Sequence, residues 1–248
     1  MTVRALPIIA WLVCCCGSVS ADDEIVVAVA SNFLPVAREL VADYESATGV
    51  EVKLSAASTG KLYAQVVNGA PFDLFLSADE ERPLKLIERG DAVAGSRFTY
   101  AVGRLLLWSG DKSLAGSDCI EALRAGTGRV AIANPETAPY GRAAVEFFAT
   151  SGIDVSSRRV TGENIAQALQ FAVRGGAQFG ILANAQAAML PDGGCRYFVP
   201  AGQHAPIRQQ AVLLSRAADN ALAKQFLDYL ATDARERIAA AGYEFDDE

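Results

Sequence analysis

Residues 25–54, IVVAVASNFLPVARELVADYESATGVEVKL, hold a strand, a helix and a second strand in succession. Ile25 to Ala30 is a short apolar run rich in β-branched residues. Phe33, Val36, Ala37, Leu40, Val41 and Tyr44 then recur at helical spacing, and Gly49 supplies a stop. Val50 to Leu54 reads as the next strand. A crossover helix between two strands is the unit that builds parallel sheets.

The same alternation continues outward. Lys61 to Val67 reads as a short helix and Asp73 to Ser77 as a strand. Asp79 is placed to cap a helix that runs to Arg89, before Gly90. Phe98 to Trp108 reads as one long strand, Arg129 to Ala133 as another, and Pro139 to Ala149 as a helix. Ile165, Ala168, Leu169, Ala172 and Val173 mark a helical face closed by Gly175 and Gly176. Phe179 to Leu182 and Gln209 to Leu214 read as strands, and Asn220 to Ala241 as two closing helices. This order predicts an α/β fold of parallel sheets covered by helices. No Gly/Pro-rich linker divides the chain once. The segments around Tyr100–Arg104 and Pro200–Pro206 look like two crossings instead, as when one domain is inserted within another.

The first residues read as an export signal. Arg4 precedes an apolar run from Ala5 to Cys16, and small residues end in Val19-Ser20-Ala21. The pattern predicts cleavage after Ala21, and the run is shorter than the roughly 20 apolar residues of a membrane span. A lipoprotein signal using Cys14, Cys15 or Cys16 is the alternative, poorly matched by the preceding Trp11-Leu12-Val13. Without residues 1–21 the chain carries 21 Lys+Arg against 29 Asp+Glu, a formal charge of −8. That balance argues against nucleic acid, which requires a basic footprint. A small anion remains allowed, because local dipoles can hold it. Cys119 and Cys195 remain, an even number in an oxidising compartment, and are read either as a disulfide or as two separate buried thiols. With the single His204 they do not make a typical structural zinc site.

Open α/β sheets bind ligands beyond the carboxyl ends of their strands. Four junctions there are polar: Ser31-Asn32, Ser55 to Lys61, Asn134 to Gly141, and Thr161 to Asn164. Each sets hydroxyls or amides beside the free N–H groups of a helix start, where an anion is favoured. Ordinary capping explains any one of them equally well. Lys61 and Arg142 are the nearby cations, both expected to face solvent. No Gly-x-Ser-x-Gly elbow occurs. Ser58-Thr59-Gly60-Lys61 lacks the first glycine and the trailing Ser/Thr of a phosphate-binding P-loop. The Asp79-Glu80-Glu81 cluster reads as helix capping and His204 as structural.

At these junctions the sequence resembles the periplasmic molybdate-binding proteins of ABC transporters. Ala28 to Phe33, Ser58 to Gln65, Asn68 to Asp79, Arg97 to Arg104, Asn134 to Gly141 and Asn164 to Leu169 carry the resemblance, in family order. The stretch Gly69-Ala-Pro-Phe-Asp-Leu-Phe-Leu-Ser-Ala-Asp79 is the most specific. The resemblance implies a two-lobed periplasmic-binding-protein fold, each lobe a mostly parallel sheet flanked by helices, joined by two crossing segments. Residues 22–103 plus 205–248 form the first lobe and 104–204 the second, after a signal at 1–21. It implies a periplasmic, monomeric receptor, not an enzyme, that closes on molybdate or tungstate and delivers it to an ABC permease without a cofactor. Ser31 and Thr59, or its neighbour Ser58, would bind from the first lobe, with Asn32 as an extra contact. The backbone N–H groups of Tyr140 and Ile165 would bind from the second, and no side chain would ligate the metal directly.

One position departs from the family. A tyrosine that touches the anion in some members is replaced by Ala183 after Gly180-Ile181-Leu182. Tyr140 is expected to compensate by swinging its hydroxyl into the cleft. Sulfate or another small anion on the same fold, a periplasmic α/β enzyme, and a sensory module with the same lobe pair are the competing readings.

Overall fold

The structure, a computed structural model, describes residues 24–246. The signal assigned to residues 1–21, with Trp11, Cys14, Cys15 and Cys16, lies outside the described residues. The first part of the chain runs β1 (Glu24–Ala30), α1 (Leu34–Thr48), β2 (Glu51–Ala57), α2 (Thr59–Val67), β3 (Leu74–Ser77), α3 (Glu81–Arg89) and β4 (Phe98–Gly103). Next come β5 (Leu105–Ser109), α4 (Cys119–Ala125), β6 (Val130–Ala133), α5 (Pro139–Ser151), β7 (Arg159–Gly162), α6 (Ile165–Val173), β8 (Phe179–Ala183) and β9 (Cys195–Phe198). The chain closes with β10 (Ile207–Leu213), α7 (Ala221–Ala231) and α8 (Arg235–Ala240).

These strands make two five-stranded sheets of matching topology, β2-β1-β3-β10-β4 and β7-β6-β8-β5-β9. In each, one penultimate strand, β10 or β5, runs against the other four. Both reversed strands begin just after the chain has changed sheets. Edge strand β4 leads through Arg104 alone into β5, and edge strand β9 leads through residues 199–206 into β10. The run Phe98–Trp108 is therefore two strands in two sheets, where its pattern suggested one. Only Arg104 separates the two strands, so the apolar run does not register the change of partner.

The first sheet is buried on both faces, which explains its near-continuous apolar strands. Ile25, Val27 and Val29 pack with Phe33 and Leu40 of the α1 side and Phe226 of α7, whereas Ala28, Phe75 and Val212 pack with Leu62 of α2 and Leu86 of α3. The second sheet packs Leu105, Leu107, Trp108, Ile132 and Phe179 with Phe147 of α5 and Leu169 of α6. Three elements not foreseen in the sequence, β7, β9 and α4, are short and half exposed, so each carries too few apolar positions to show a period. A disulfide joins Cys119, at the start of α4, to Cys195, at the start of edge strand β9, with the Cα atoms 5.2 Å apart. That spacing lies within the range a bridge requires. Among the described residues, no helix is long and apolar enough to cross a membrane.

Candidate anion-binding site

Strands β1 and β2 are parallel neighbours in the first sheet, as are β6 and β7 in the second. The carboxyl ends of all four meet between the sheets. They enclose a small cavity of about 10 Å³ lined by Ala30, Ser31, Asn32, Ser58, Thr59, Ala78, Ala138, Pro139, Tyr140 and Ile165. All six positions expected from the sequence line this one space. It is smaller than the about 300–1,000 Å³ of pockets that take organic ligands.

The cavity is furnished with donors. Thr59 opens α2, Tyr140 is the second residue of α5, and Ile165 opens α6. Their backbone N–H groups belong to the first turns that a helix leaves unsatisfied, and none has a hydrogen-bond partner among the described residues. The N–H of Asn32, in the turn after β1, is also without one, whereas its neighbours Ser31 and Phe33 donate to Ala57 and Ala30. Three helix starts therefore aim their positive ends at one point. The Ser58 hydroxyl is buried with no partner, an arrangement that is costly unless something arrives to accept its proton. Thr59 Oγ1 accepts the Ala78 N–H at 3.1 Å and keeps its own proton to donate, whereas the Ser58 hydroxyl has no partner of either kind among the described residues.

Two side chains turn away from the cavity. The Asn32 carboxamide donates to Gln209 Oε1 at 2.7 Å and to the Tyr243 hydroxyl at 3.1 Å, leaving its backbone N–H for the cavity. The Tyr140 hydroxyl does not compensate for Ala183 in the way expected. It accepts from Gln209 Nε2 at 3.2 Å, beside Gly103. The cause is steric and polar together: Gly103 leaves room for the phenol tip, and buried Gln209 has a donor to place. Burial pushes the hydroxyls of Tyr140, Tyr100 and Tyr243 well above the usual tyrosine range, so all three stay protonated.

The two rims touch. Gly60 N–H donates to the carbonyl of Thr137 at 2.8 Å. Lys61 pairs with Glu163 at 2.8 Å, and Arg142 reaches the buried Asp79 at 3.0 Å and Glu81 at 2.9 Å. Lys61 and Arg142, expected to face solvent, are half exposed yet committed to carboxylates of the opposite rim. Asp79 also accepts the Arg82 N–H at 3.1 Å, as its capping role requires, and pairs with the Arg82 guanidinium. The ammonium of Lys85 and the guanidinium of Arg142 hold Glu81 down at about 2. A larger open groove of about 550 Å³ runs beside the cavity, past Arg97, Arg142 and Arg208. Its arginines are already bonded to Gln210, Asp79, Glu81 and Asp246, so it offers no free charge. His204 is buried, with Nδ1 2.7 Å from the carbonyl of Ala205, far from a nucleophile's role. Among the described residues, no three His, Cys, Asp or Glu side chains are grouped to hold a metal ion.

Two α/β lobes linked by two crossings, with a small donor-lined cavity closed between them, define a two-lobed solute-binding protein. The chain belongs to the bacterial extracellular solute-binding protein family, whose model matches residues 25–244. It is 43% identical over 227 residues to the molybdate-binding protein ModA of Rhodobacter capsulatus, covering 90% of this chain and 89% of that one. The periplasmic molybdate-binding protein of Azotobacter vinelandii, a solved structure, superposes with a TM-score of 0.84 at 38% identity, covering 90% of this chain and 100% of that one. The sulfate-binding protein SubI from Mycobacterium tuberculosis has a TM-score of 0.73 at 15% identity over 90% of this chain and 87% of its own, a likeness of fold alone.

Proposed function

We propose that this protein captures molybdate, and tungstate as well, as a monomer in the periplasm after cleavage of its signal, and delivers the ion to an ABC permease. The observation that carries the reading is the vacant donor set: four backbone N–H groups and the Ser58 hydroxyl, all lining one small cavity and none with a partner among the described residues. A dianion is held there by charge-assisted hydrogen bonds, with no cation needed. Identity above 40% to proteins named for molybdate binding supports the choice of ion.

The cavity lining also speaks for binding over catalysis. It contains no Asp, Glu, His, Lys, Arg or Cys, so neither serine has a base within reach to activate it. Phosphate fits poorly for a related reason. It carries a proton near neutral pH, and a lining of donors leaves that proton without an acceptor, at a cost of about 1–3 kcal/mol. Calorimetry of the exported chain against molybdate, tungstate, sulfate and phosphate tests the reading. Tight one-to-one binding of the first two, weaker sulfate and little phosphate are expected. Absence of heat with molybdate and tungstate would falsify it.

A further inference from the structure

The geometry points to a closure socket in the crossings, in which Gln209 receives the Tyr140 hydroxyl and so positions the anion-binding N–H groups of both lobes. Gln209 lies on β10 in the first sheet and is completely buried. Its Oε1 accepts from Asn32 Nδ2 at 2.7 Å and from the Tyr100 hydroxyl at 3.2 Å. Its Nε2 donates to the Tyr140 hydroxyl at 3.2 Å. Asn32 and Tyr140 are the residues whose backbone N–H groups face the cavity from opposite sides. One carboxamide thus ties the two walls together from behind.

The rest of the socket belongs to the crossings. Gly103 ends β4, immediately before the chain changes sheets, and a Cβ there would come within 2.1 Å of the Tyr140 hydroxyl. Tyr243, near the end of the described chain, donates its hydroxyl proton to the carbonyl of Asn32 at 3.0 Å and accepts from Asn32 Nδ2 at 3.1 Å. Tyr140 sits on α5, which packs on the second sheet, so its phenol enters this socket only when the second lobe has swung onto the first. Seating the phenol and presenting the Tyr140 N–H to the anion are then a single movement. Opening the lobes breaks the bond from the Gln209 amide to the Tyr140 hydroxyl. Gln209 is a positioning residue in this scheme, and it touches no ligand itself.

The inference rests on the anion reading above, and the experiment separates the two. Molybdate affinity is measured by calorimetry for the parent protein, Tyr140→Phe, Gln209→Met and the double variant. Each single change is expected to weaken binding about tenfold. The double variant is expected to be no weaker than Gln209→Met, because both changes break the same contact. Should Gln209→Met fail to fold, Gly103→Ala replaces it, since its Cβ obstructs the hydroxyl most and meets the Gln209 amide nitrogen only at 3.0 Å. Parental affinity in the single variants, or losses that multiply in the double, overturn the socket. A merely structural role for Gln209 predicts such multiplied losses. If the parent gives no heat with molybdate, the ion assignment fails, and small-angle scattering of the ligand-free proteins decides the socket alone. Greater dimensions in Tyr140→Phe and Gly103→Ala than in the parent support it, and equal dimensions refute it.

Discussion

The backbone N–H of Gly60 donates to the carbonyl of Thr137 at 2.8 Å, so the start of α2 and a loop 77 positions further on meet across the cleft by a main-chain contact. A Cβ at Gly60 would meet that carbonyl oxygen at 3.0 Å, Thr137 Cα at 3.1 Å and Arg82 Nη2 at 3.2 Å. Two of the three contacts, both to the Thr137 backbone, lie across the cleft; the third is the far end of the flexible Arg82 side chain in the same lobe.

Gly60→Ala is therefore expected to separate stability from binding. Within the first lobe the change sits in the first turn of α2, where alanine favours the helix by up to about 1 kcal/mol. Across the cleft it forces the rims apart, at a cost of about 1–3 kcal/mol. Thermal unfolding of the ligand-free variant should match or exceed the parent, while calorimetry shows molybdate affinity lowered about tenfold or more. Unchanged affinity would show that closure does not need this contact.

Ser58→Ala should behave differently from Thr59→Ala. The Ser58 hydroxyl has no partner in the ligand-free site, so its removal relieves a buried unsatisfied group and leaves unfolding stability equal or higher. Its loss to a charged ligand is expected to cost about 1.5–3 kcal/mol, or roughly tenfold to a hundredfold in affinity. Thr59→Ala removes the acceptor of the Ala78 N–H as well, and should lower stability together with affinity. Equal stability losses in both variants would contradict the assignment of Ser58 as the vacant donor.

Acid should loosen the rim at Glu81. Lys85 first, and Arg142 across the cleft second, hold its carboxyl at about 2, down from an ordinary 4.5. A depressed carboxyl contributes its stability above the ordinary value and loses it as pH falls toward the folded one. The thermal midpoint of the ligand-free protein should be insensitive to Glu81 above pH 4.5 and should fall between 4.5 and about 2. Glu81→Gln should show a shallower fall over that window. An identical acid slope in the two proteins would remove Glu81 from the account.

The Cys119–Cys195 bridge staples α4 to edge strand β9 within the second lobe and does not span the crossings. Reduction is expected to cost about 2–4 kcal/mol of unfolding stability. Hinge closure should survive it, so molybdate affinity at low temperature should change little. A thiol assay on the unfolded, unreduced chain without residues 1–21 should find no free thiol, and two after reduction.

Much of the site was legible because its parts are local. The Ser31-Asn32 turn follows directly on β1, Ser58-Thr59 on β2, and Pro139-Tyr140 opens α5, so strand ends and helix starts could be placed from neighbouring residues. Their joint position beyond parallel strands follows from the βα order. Polar pairings between those parts were harder to see. Asn32 and Gln209 are 177 positions apart, and Tyr140 and Gln209 are 69 apart. Gln209 stands beside a second polar residue, Gln210, at the start of β10, and no local pattern marks its amide, because its tyrosine partners come from distant segments.

The sequence by itself determined the α/β order, the strand-end junctions and the residues that line the cavity, because strand and helix starts are set by periodicity and capping over a few residues. Tertiary structure decided which groups there are free. It left Ser58 vacant and engaged Thr59 with Ala78, turned the Tyr140 hydroxyl to Gln209, split Phe98–Trp108 between two sheets at Arg104, and set Arg142 against Asp79. Whether a donor is spent or spare depends on what folds against it. That is settled only when the two sheets, far apart in the chain, are brought face to face.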